Sequence, residues 1–524
     1  MTAVGGQVID ATPGAVKDWA VKTFGESDKL YLLTGIFTVL GLLAAVTGVL
    51  VWRSRWLALG VTTLLGLVGL AAALTDRSQL MNTFERVAPS LAALIISVAA
   101  LAWFIHTLGL GLHGLVPGTK SAHTHQTPEN ETPAERSAVP VAAKTAVGAR
   151  HPHDEFPRAR PKHDESSAPA GFDRRQFLLA TLATGAVAAV GVGSSQLVTG
   201  VGSRSRDSIA LPTAADKVAA ISPGYDFGVK GLTPHMTSNK DFYRVDTALS
   251  VPQVDAGTWT LKITGMVDEE LEFSFEDILN MPLVERRITL ACVSNEVGGH
   301  YAGNATWLGV KISDLLEQAG VSSDADAVKS TSADGMTIGT PLDVLTDDRD
   351  ALLAIGMNGV PLPLEHGFPA RMVVPGLYGY VSATKWVTEL EVSRFDDFSA
   401  YWTEHGFSAE APIKTFSRID VPKSFAQLSP GKNAIAGIAW AQHTGIEKVE
   451  VQIDDGEWHT AKLADEDTTD TWRQWLYPWD ATDSGLHQIR VRATDTADST
   501  QTSRRVPPRP DGATGWHSVS VTVT

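Results

Sequence analysis

The chain has a single cysteine, Cys292, among its 524 residues. That scarcity excludes an internal disulfide, a CxxC redox pair, a Cys-ligated iron–sulfur cluster and a covalently attached c-type haem. A basic stripe is also missing. The formal net charge is −16, and without clustered Lys and Arg to meet phosphates, no nucleic-acid partner is expected. Charge is absent altogether from four long stretches, 30–52, 56–74, 88–112 and 177–201. Each is close to the roughly 20 apolar residues that cross a bilayer, which predicts four membrane helices rather than a short cleaved leader.

The charges that flank these stretches orient them. Arg53 and Arg55 place the first short loop in the cytoplasm, whereas the 75–87 loop balances Asp76 and Glu85 against Arg77 and Arg86. The long 113–176 connection ends in Arg158, Arg160, Lys162, Arg174 and Arg175. By the positive-inside tendency, the fourth helix therefore exports everything that follows it. The 113–176 segment itself is rich in Pro, Ala, Thr and His without periodicity, and it reads as a disordered tether. Its histidines are too irregularly spaced to predict a metal site. Immediately before the fourth stretch stands Asp173-Arg-Arg-Gln-Phe-Leu-Leu179, which resembles a twin-arginine export signal. Since that route carries folded proteins, a cofactor inserted before export is expected. With no Ala-x-Ala-like site after Val201, the helix is expected to remain as an anchor.

Beyond residue 222 the texture is soluble, and two domains are expected, 222–405 and 412–524. In the first, Trp259–Gly265 alternates as a strand, Phe275–Leu279 reads as a short helix and Arg287–Cys292 as a strand. Val310–Gly320 reads as a helix with a C-terminal glycine, and 370–375 and 386–392 read as strands. In the second, short strands at 435–441, 448–453, 473–477, 487–493 and 516–523, punctuated by turns such as Asp455-Gly456, predict an immunoglobulin-type sandwich with no disulfide pin. The expected fold class is thus an all-α membrane region, an α+β domain and a β-sandwich. Cys292 falls at a strand-to-loop exit before a polar Gly298-Gly299 turn, a place where ligands are commonly met.

Four ordered blocks in residues 222–524 resemble the sulfite oxidase family of molybdopterin enzymes. They are Phe242-Tyr-Arg244, Leu290-Ala-Cys292 with Trp307-Leu-Gly-Val310, His366-Gly-Phe-Pro-Ala-Arg-Met-Val-Val-Pro375, and Lys385-Trp386. The resemblance implies a sulfite-oxidase-like molybdopterin domain in which Cys292 is the protein ligand to molybdenum. A soft thiolate suits that metal. It further implies cofactor contacts from Tyr243, Arg244 and His366, and phosphate contacts from Arg371, Ser382 and Lys385. Arg244 and Trp307 match substrate-pocket positions, and Arg509 is a looser match for a further pocket arginine.

Two departures stand out. Asn295-Glu296-Val297 replaces the Asn-Arg-Arg of sulfite oxidases, and Glu404 stands where an active-site tyrosine is expected. In a poorly solvated site Glu296 would repel a dianion by several kcal/mol. The family also includes periplasmic reductases of oxidised methionine and other S-oxides, so a neutral sulfur-containing substrate is expected, with a true sulfite oxidase or dehydrogenase as the alternative. Either direction is two-electron oxygen-atom transfer, and electrons must pass one at a time through an external carrier, cytochrome or quinone-linked. His106 and His113 are the only internal candidates for haem, and an anchor role is expected for their helix. The resemblance implies a homodimer through the C-terminal domain, and a multi-pass protein of a bacterial cell membrane with its catalytic domains outside. Two other classes remain open from the residues: a non-catalytic cell-surface binding protein on this scaffold, and a thiol enzyme using Cys292 as nucleophile.

Overall fold

The computed structural model describes residues 28–76, 83–107 and 200–524, with isolated positions before residue 28. The 113–176 tether, the twin-arginine motif and nearly all of the fourth apolar stretch lie outside the described residues, as does His113. Three helices, α1 (Asp28–Arg53), α2 (Arg55–Leu74) and α3 (Thr83–Thr107), match the first three predicted stretches. Their spans of 23, 20 and 20 residues are long and apolar enough to cross a membrane. The Ser54 hydroxyl caps α2 by accepting from the Leu57 backbone N–H, so a single residue separates α1 from α2. His106 is exposed in the last turn of α3.

The domain that follows holds two sheets. One has strand order β2 (Leu271–Ser274), β1 (Thr260–Gly265), β10 (Val387–Ser393), β5 (Ala327–Ser332), β6 (Thr337–Pro341). The other runs β3 (Val284–Ala291), β4 (Ala302–Lys311), β7 (Leu352–Met357), β8 (Val360–Pro361), with β9 (Arg371–Val373) also on β7. Helix α4 (Phe275–Leu279) forms where predicted because Ser274 and Asp277 make a reciprocal capping box. Helix α5 (Ile312–Ala319) buries Ile312, Leu315, Leu316 and Ala319, which share one helical face, and ends at Gly320 with φ +69°. It begins two residues later than expected, since Val310 and Lys311 pair with Leu353 and Leu352 of β7. Burying those backbone groups in a ladder outweighs a further half-turn of helix. Strand β4, which Gly303, Asn304 and Gly309 disguise in the sequence, is the central neighbour of β3. A Cβ at Gly309 would collide with the Leu353 carbonyl at the bulge where β4 meets β7.

The C-terminal domain has two sheets over one core. One is β11 (Phe416–Val421), β13 (Gly431–Trp440), β17 (Arg473–Ala481), β16 (Lys462–Leu463). The other is β12 (Gln427–Leu428), β19 (His517–Val523), β18 (Gly485–Asp495), β14 (Ile446–Ile453), β15 (Trp458–Thr460). Ile435, Trp475, Val449, Val451, Ile489, Val491 and Val521 meet between them. All five predicted strands are present, and β11 was not foreseen.

These two domains are joined through β3. Its outer edge, the side away from β4, receives chain from the sandwich: Thr289 N donates to Asp470 O (2.9 Å), Trp472 N to Thr289 Oγ1 (2.8 Å) and Gln442 Nε2 to Thr289 O (3.0 Å). Beside them, Arg287 of β3 grips buried Asp467 with Nε and Nη2, and His235 reaches the same carboxylate at 3.0 Å. Asp467 is held below the usual carboxylate range, its burial outweighed by those two partners.

Candidate active site

Cys292 emerges one residue past the end of β3, and the loop it opens is closed by its own backbone. Cys292 N donates to Tyr301 O (2.9 Å), Asn295 N to Cys292 O (3.0 Å), and Tyr301 N to the buried Asn295 Oδ1 (2.9 Å). Burial pushes the Cys292 thiol up, while the Ser294 backbone and hydroxyl and the charge of Lys385 pull against it. The cysteine is therefore a thiol as it stands, with the Ser294 donors and the Lys385 charge placed to favour a thiolate.

The cations come from two loops. Arg371 opens β9 and is 5% exposed. Its guanidinium lies 5.1 Å from the centre of the Trp307 ring and reaches only backbone carbonyls: His366 (3.2 Å), Ala383 (3.4 Å) and Met372 (3.4 Å). Among the described residues it has no carboxylate partner. Burial lowers it to about 10. Lys385, bridged to Arg371 through the backbone, donates to Asp246 at 2.8 Å, and burial lowers it to about 8. Arg244 Nε donates to the same Asp246 oxygen at 2.8 Å. Two cations thus share one buried carboxylate, and the Arg371 guanidinium stands beside them without one, a surplus of positive charge that a bound anion would neutralise.

Aromatic rings line the same region. Phe242 stacks on Tyr243 (5.3 Å) and meets Trp307 and His366 edge-on (5.7 and 5.5 Å). Burial raises the Tyr243 phenol, and a Cys292 thiolate adds to this. A Cβ on Gly379 would lie 3.8 Å from Tyr243 Oη and 3.7 Å from Ala291 O, so the 376–385 loop passes directly over the cysteine end of β3. His366 is buried and pushed down to about 4, mainly by that burial. Since Nε2 meets the Asn239 carbonyl at 2.9 Å, it must carry the proton, which leaves Nδ1 as an acceptor.

The structure therefore brings Cys292, Tyr243, Arg244, His366, Arg371 and Lys385 together. Other predicted residues sit differently. Ser382 is buried, but its hydroxyl donates to Tyr378 O (3.0 Å) and Leu377 O (3.3 Å). Trp307 is fully buried, with its indole N–H on Ile288 O (3.1 Å), beneath Arg371 rather than on an open wall. Glu296, on the cysteine loop, is exposed, and so is Glu404 at the end of helix α6 (Tyr401–Glu404). The strong repulsion expected of Glu296 is reduced accordingly: in water a unit charge at 4 Å is worth only about 1 kcal/mol. Arg509 lies over Phe407 (5.1 Å), which packs on Tyr380 of the loop above the cysteine (5.4 Å). Sequence reasoning missed Asp246, which no motif marks and whose role appears only when two distant cations converge on it.

Residues 248–402 match the family model of the oxidoreductase molybdopterin binding domain. An uncharacterized oxidoreductase of Bacillus subtilis, YuiH, is 35% identical over 153 residues, 29% of this chain and 74% of that protein. Human mitochondrial sulfite oxidase is 29% identical over 290 residues, 46% of this chain and 52% of that protein. The chain thus spans about half the length of the mitochondrial sulfite oxidases it matches. Among solved structures, the sulfane dehydrogenase SoxCD of Paracoccus pantotrophus aligns with 60% of the chain at 22% identity and a TM-score of 0.49. The cradle fits the group that the family model implies: a thiol, buried Arg371 and largely buried Lys385 with Arg244 beside them and one carboxylate among them, and stacked aromatics suit a metal-bearing pterin with a phosphate tail.

Proposed function

The chain belongs to the sulfite oxidase family of molybdenum-dependent oxidoreductases, and on that premise we propose that it is a membrane-anchored, extracytoplasmic enzyme acting on a small sulfur-containing substrate. Cys292 is the sole protein ligand to molybdenum. Arg371 and Lys385 hold the phosphate of the cofactor, Arg244 takes its part at the junction of cofactor and substrate, and Tyr243 and His366 fix the pterin from the side. The bound cofactor supplies two-electron transfer of an oxygen atom between water and substrate. The observation that carries this reading is the buried, carboxylate-free guanidinium of Arg371, which shares Tyr243 as a neighbour with the lone cysteine: an isolated buried cation is costly unless an anion is meant to join it.

The substrate is a neutral S-oxide. Reduced, it takes up two electrons and two protons and leaves as a thioether and water, the electrons arriving singly from an external carrier, cytochrome or quinone-linked. Support comes from the two acids, Glu296 and Glu404, at positions where sulfite oxidases place an arginine and a tyrosine. The α1–α3 region anchors the enzyme, the twin-arginine motif delivers it folded, and the immunoglobulin-type C-terminal domain pairs two copies.

The test is molybdenum content together with an anaerobic substrate panel. Protein from a cofactor-competent host should carry molybdenum, Cys292→Ser should not turn over, and the molybdenum EPR signal should respond to S-oxides before sulfite. A metal-free chain, or an active Cys292→Ser, refutes the enzyme reading. A response to sulfite alone refutes the substrate.

A further inference from the structure

The loop that carries Cys292 is pinned from the neighbouring domain. Its far turn is Gly298-Gly299, and the structure explains both glycines. Gly298 has φ +83°, and a Cβ there would collide with the His517 imidazole. A Cβ on Gly299 would lie 2.6 Å from Asn295 Oδ1. Two sandwich residues seat themselves on this turn. Arg418 of β11, 4% exposed, donates through Nη1 to Gly299 O (2.7 Å). Its other groups are fully committed, Nε to buried Asp420 (2.8 Å) and Nη2 to Thr233 Oγ1 (2.7 Å). His517, the first residue of β19, accepts from Ile419 N through Nδ1 (2.9 Å), so it is neutral with its proton on Nε2, the atom facing Gly298. Burial and the nearby Arg418 push it down to about 4, so it stays neutral through the working pH range.

We propose that Arg418 and His517 are positioning residues for the thiol: the sandwich domain holds the 292–301 loop through its glycine turn and so fixes where Cys292 Sγ is presented. The turn is a lever whose other end is the cysteine. Asn295 ties the two, with its N–H on Cys292 O and its side chain on Tyr301 N. A hydrogen bond from a charged, buried guanidinium is among the stronger kinds, and Arg418 spends one on this loop. Only the consequence for catalysis rests on the reading of Cys292 as metal ligand. The positioning itself is a property of the metal-free chain.

The experiment measures the rate at which iodoacetamide alkylates Cys292 in the full chain purified without cofactor, for wild type, Arg418→Met, Arg418→Lys and His517→Ala. The thiol is buried, so the rate reports how often the loop opens. Losing a charge-assisted hydrogen bond should raise that rate about tenfold in Arg418→Met, with partial rescue in Arg418→Lys. Arg490→Met, on the outer face of the five-stranded sheet, serves as the control and should alkylate as wild type does. In cofactor-loaded protein the same variants should shift the molybdenum EPR parameters, which a purely global loss of stability would not do. A rise above about threefold in any variant that retains cooperative unfolding supports the proposal, and rates within threefold of wild type in all folded variants overturn it. If Arg418→Met does not fold, Arg418→Lys and His517→Ala carry the test. Failure of the ligand assignment is read separately, from the metal content of Cys292→Ser.

Discussion

Replacing Arg371 by methionine should leave the cofactor-free fold almost as stable as before while removing its hold on molybdopterin. The expectation follows from the surroundings of the guanidinium. Burial brings Arg371 down to about 10 from an ordinary 12.5, which corresponds to about 3 kcal/mol of penalty on the charged form. Against this stand the contact with the Trp307 face, worth about 2 kcal/mol when desolvated, and three long hydrogen bonds to carbonyls, about 1 kcal/mol together. The terms cancel, and methionine fills much of the same volume, so the net change should stay within about 1 kcal/mol, or a few degrees in Tm. Thermal unfolding of the detergent-solubilised full chain from a cofactor-free host measures the first half, and molybdenum content from a competent host measures the second. A loss above about 3 kcal/mol with metal retained would show that the guanidinium is a structural strut, and the reasoning from its surplus charge would fall.

Asp467→Ala makes the opposite prediction, because it strands Arg287 and His235 without their shared carboxylate: a loss of about 3–5 kcal/mol in the same unfolding assay, against which near-wild-type stability would count. For pH, His366 is held near 4, below its ordinary 6.5. The unfolded chain therefore takes up the proton first, and stability present above about pH 6.5 is lost as pH falls toward 4. Denaturant unfolding at pH 7 and 4.5 should show a smaller drop in His366→Gln than in wild type, and equal drops would refute the assignment. Glu296→Gln should raise kcat/KM for sulfite only about two- to fivefold, as befits an exposed charge, and leave a neutral S-oxide unaffected. A hundredfold gain would mean that the carboxylate sits in a dry pocket.

What could be read from residues alone was whatever is local. Three helices were legible because an uncharged run of bilayer length has few other fates in a chain, and α4 because Ser274 and Asp277 carry their capping in the sequence. The cysteine, the arginine of β9 and Lys385 were legible as motif. Strand β4 was not, since two glycines and an asparagine dilute its pattern, and its identity comes from pairing with β3 and β7. Nor was Asp246, whose importance is that Arg244 and Lys385, 141 positions apart by their numbering, converge on it. Glu296 was placed at the right loop with the wrong solvation, because a sequence names a charge without saying how much water surrounds it.

The edge of β3 sets a timetable for the protein's manufacture. Thr289 and the residue that completes its hydrogen bonding, Trp472, are 183 positions apart. While the ribosome is still working through the intervening stretch, the strand leading to Cys292 has an open flank, and its pin at Gly299 awaits Arg418. A nascent chain that has not passed residue 472 cannot complete the hydrogen bonding of this strand and its loop. Any fragment stopped before residue 472 leaves an unprotected β edge open to aggregation.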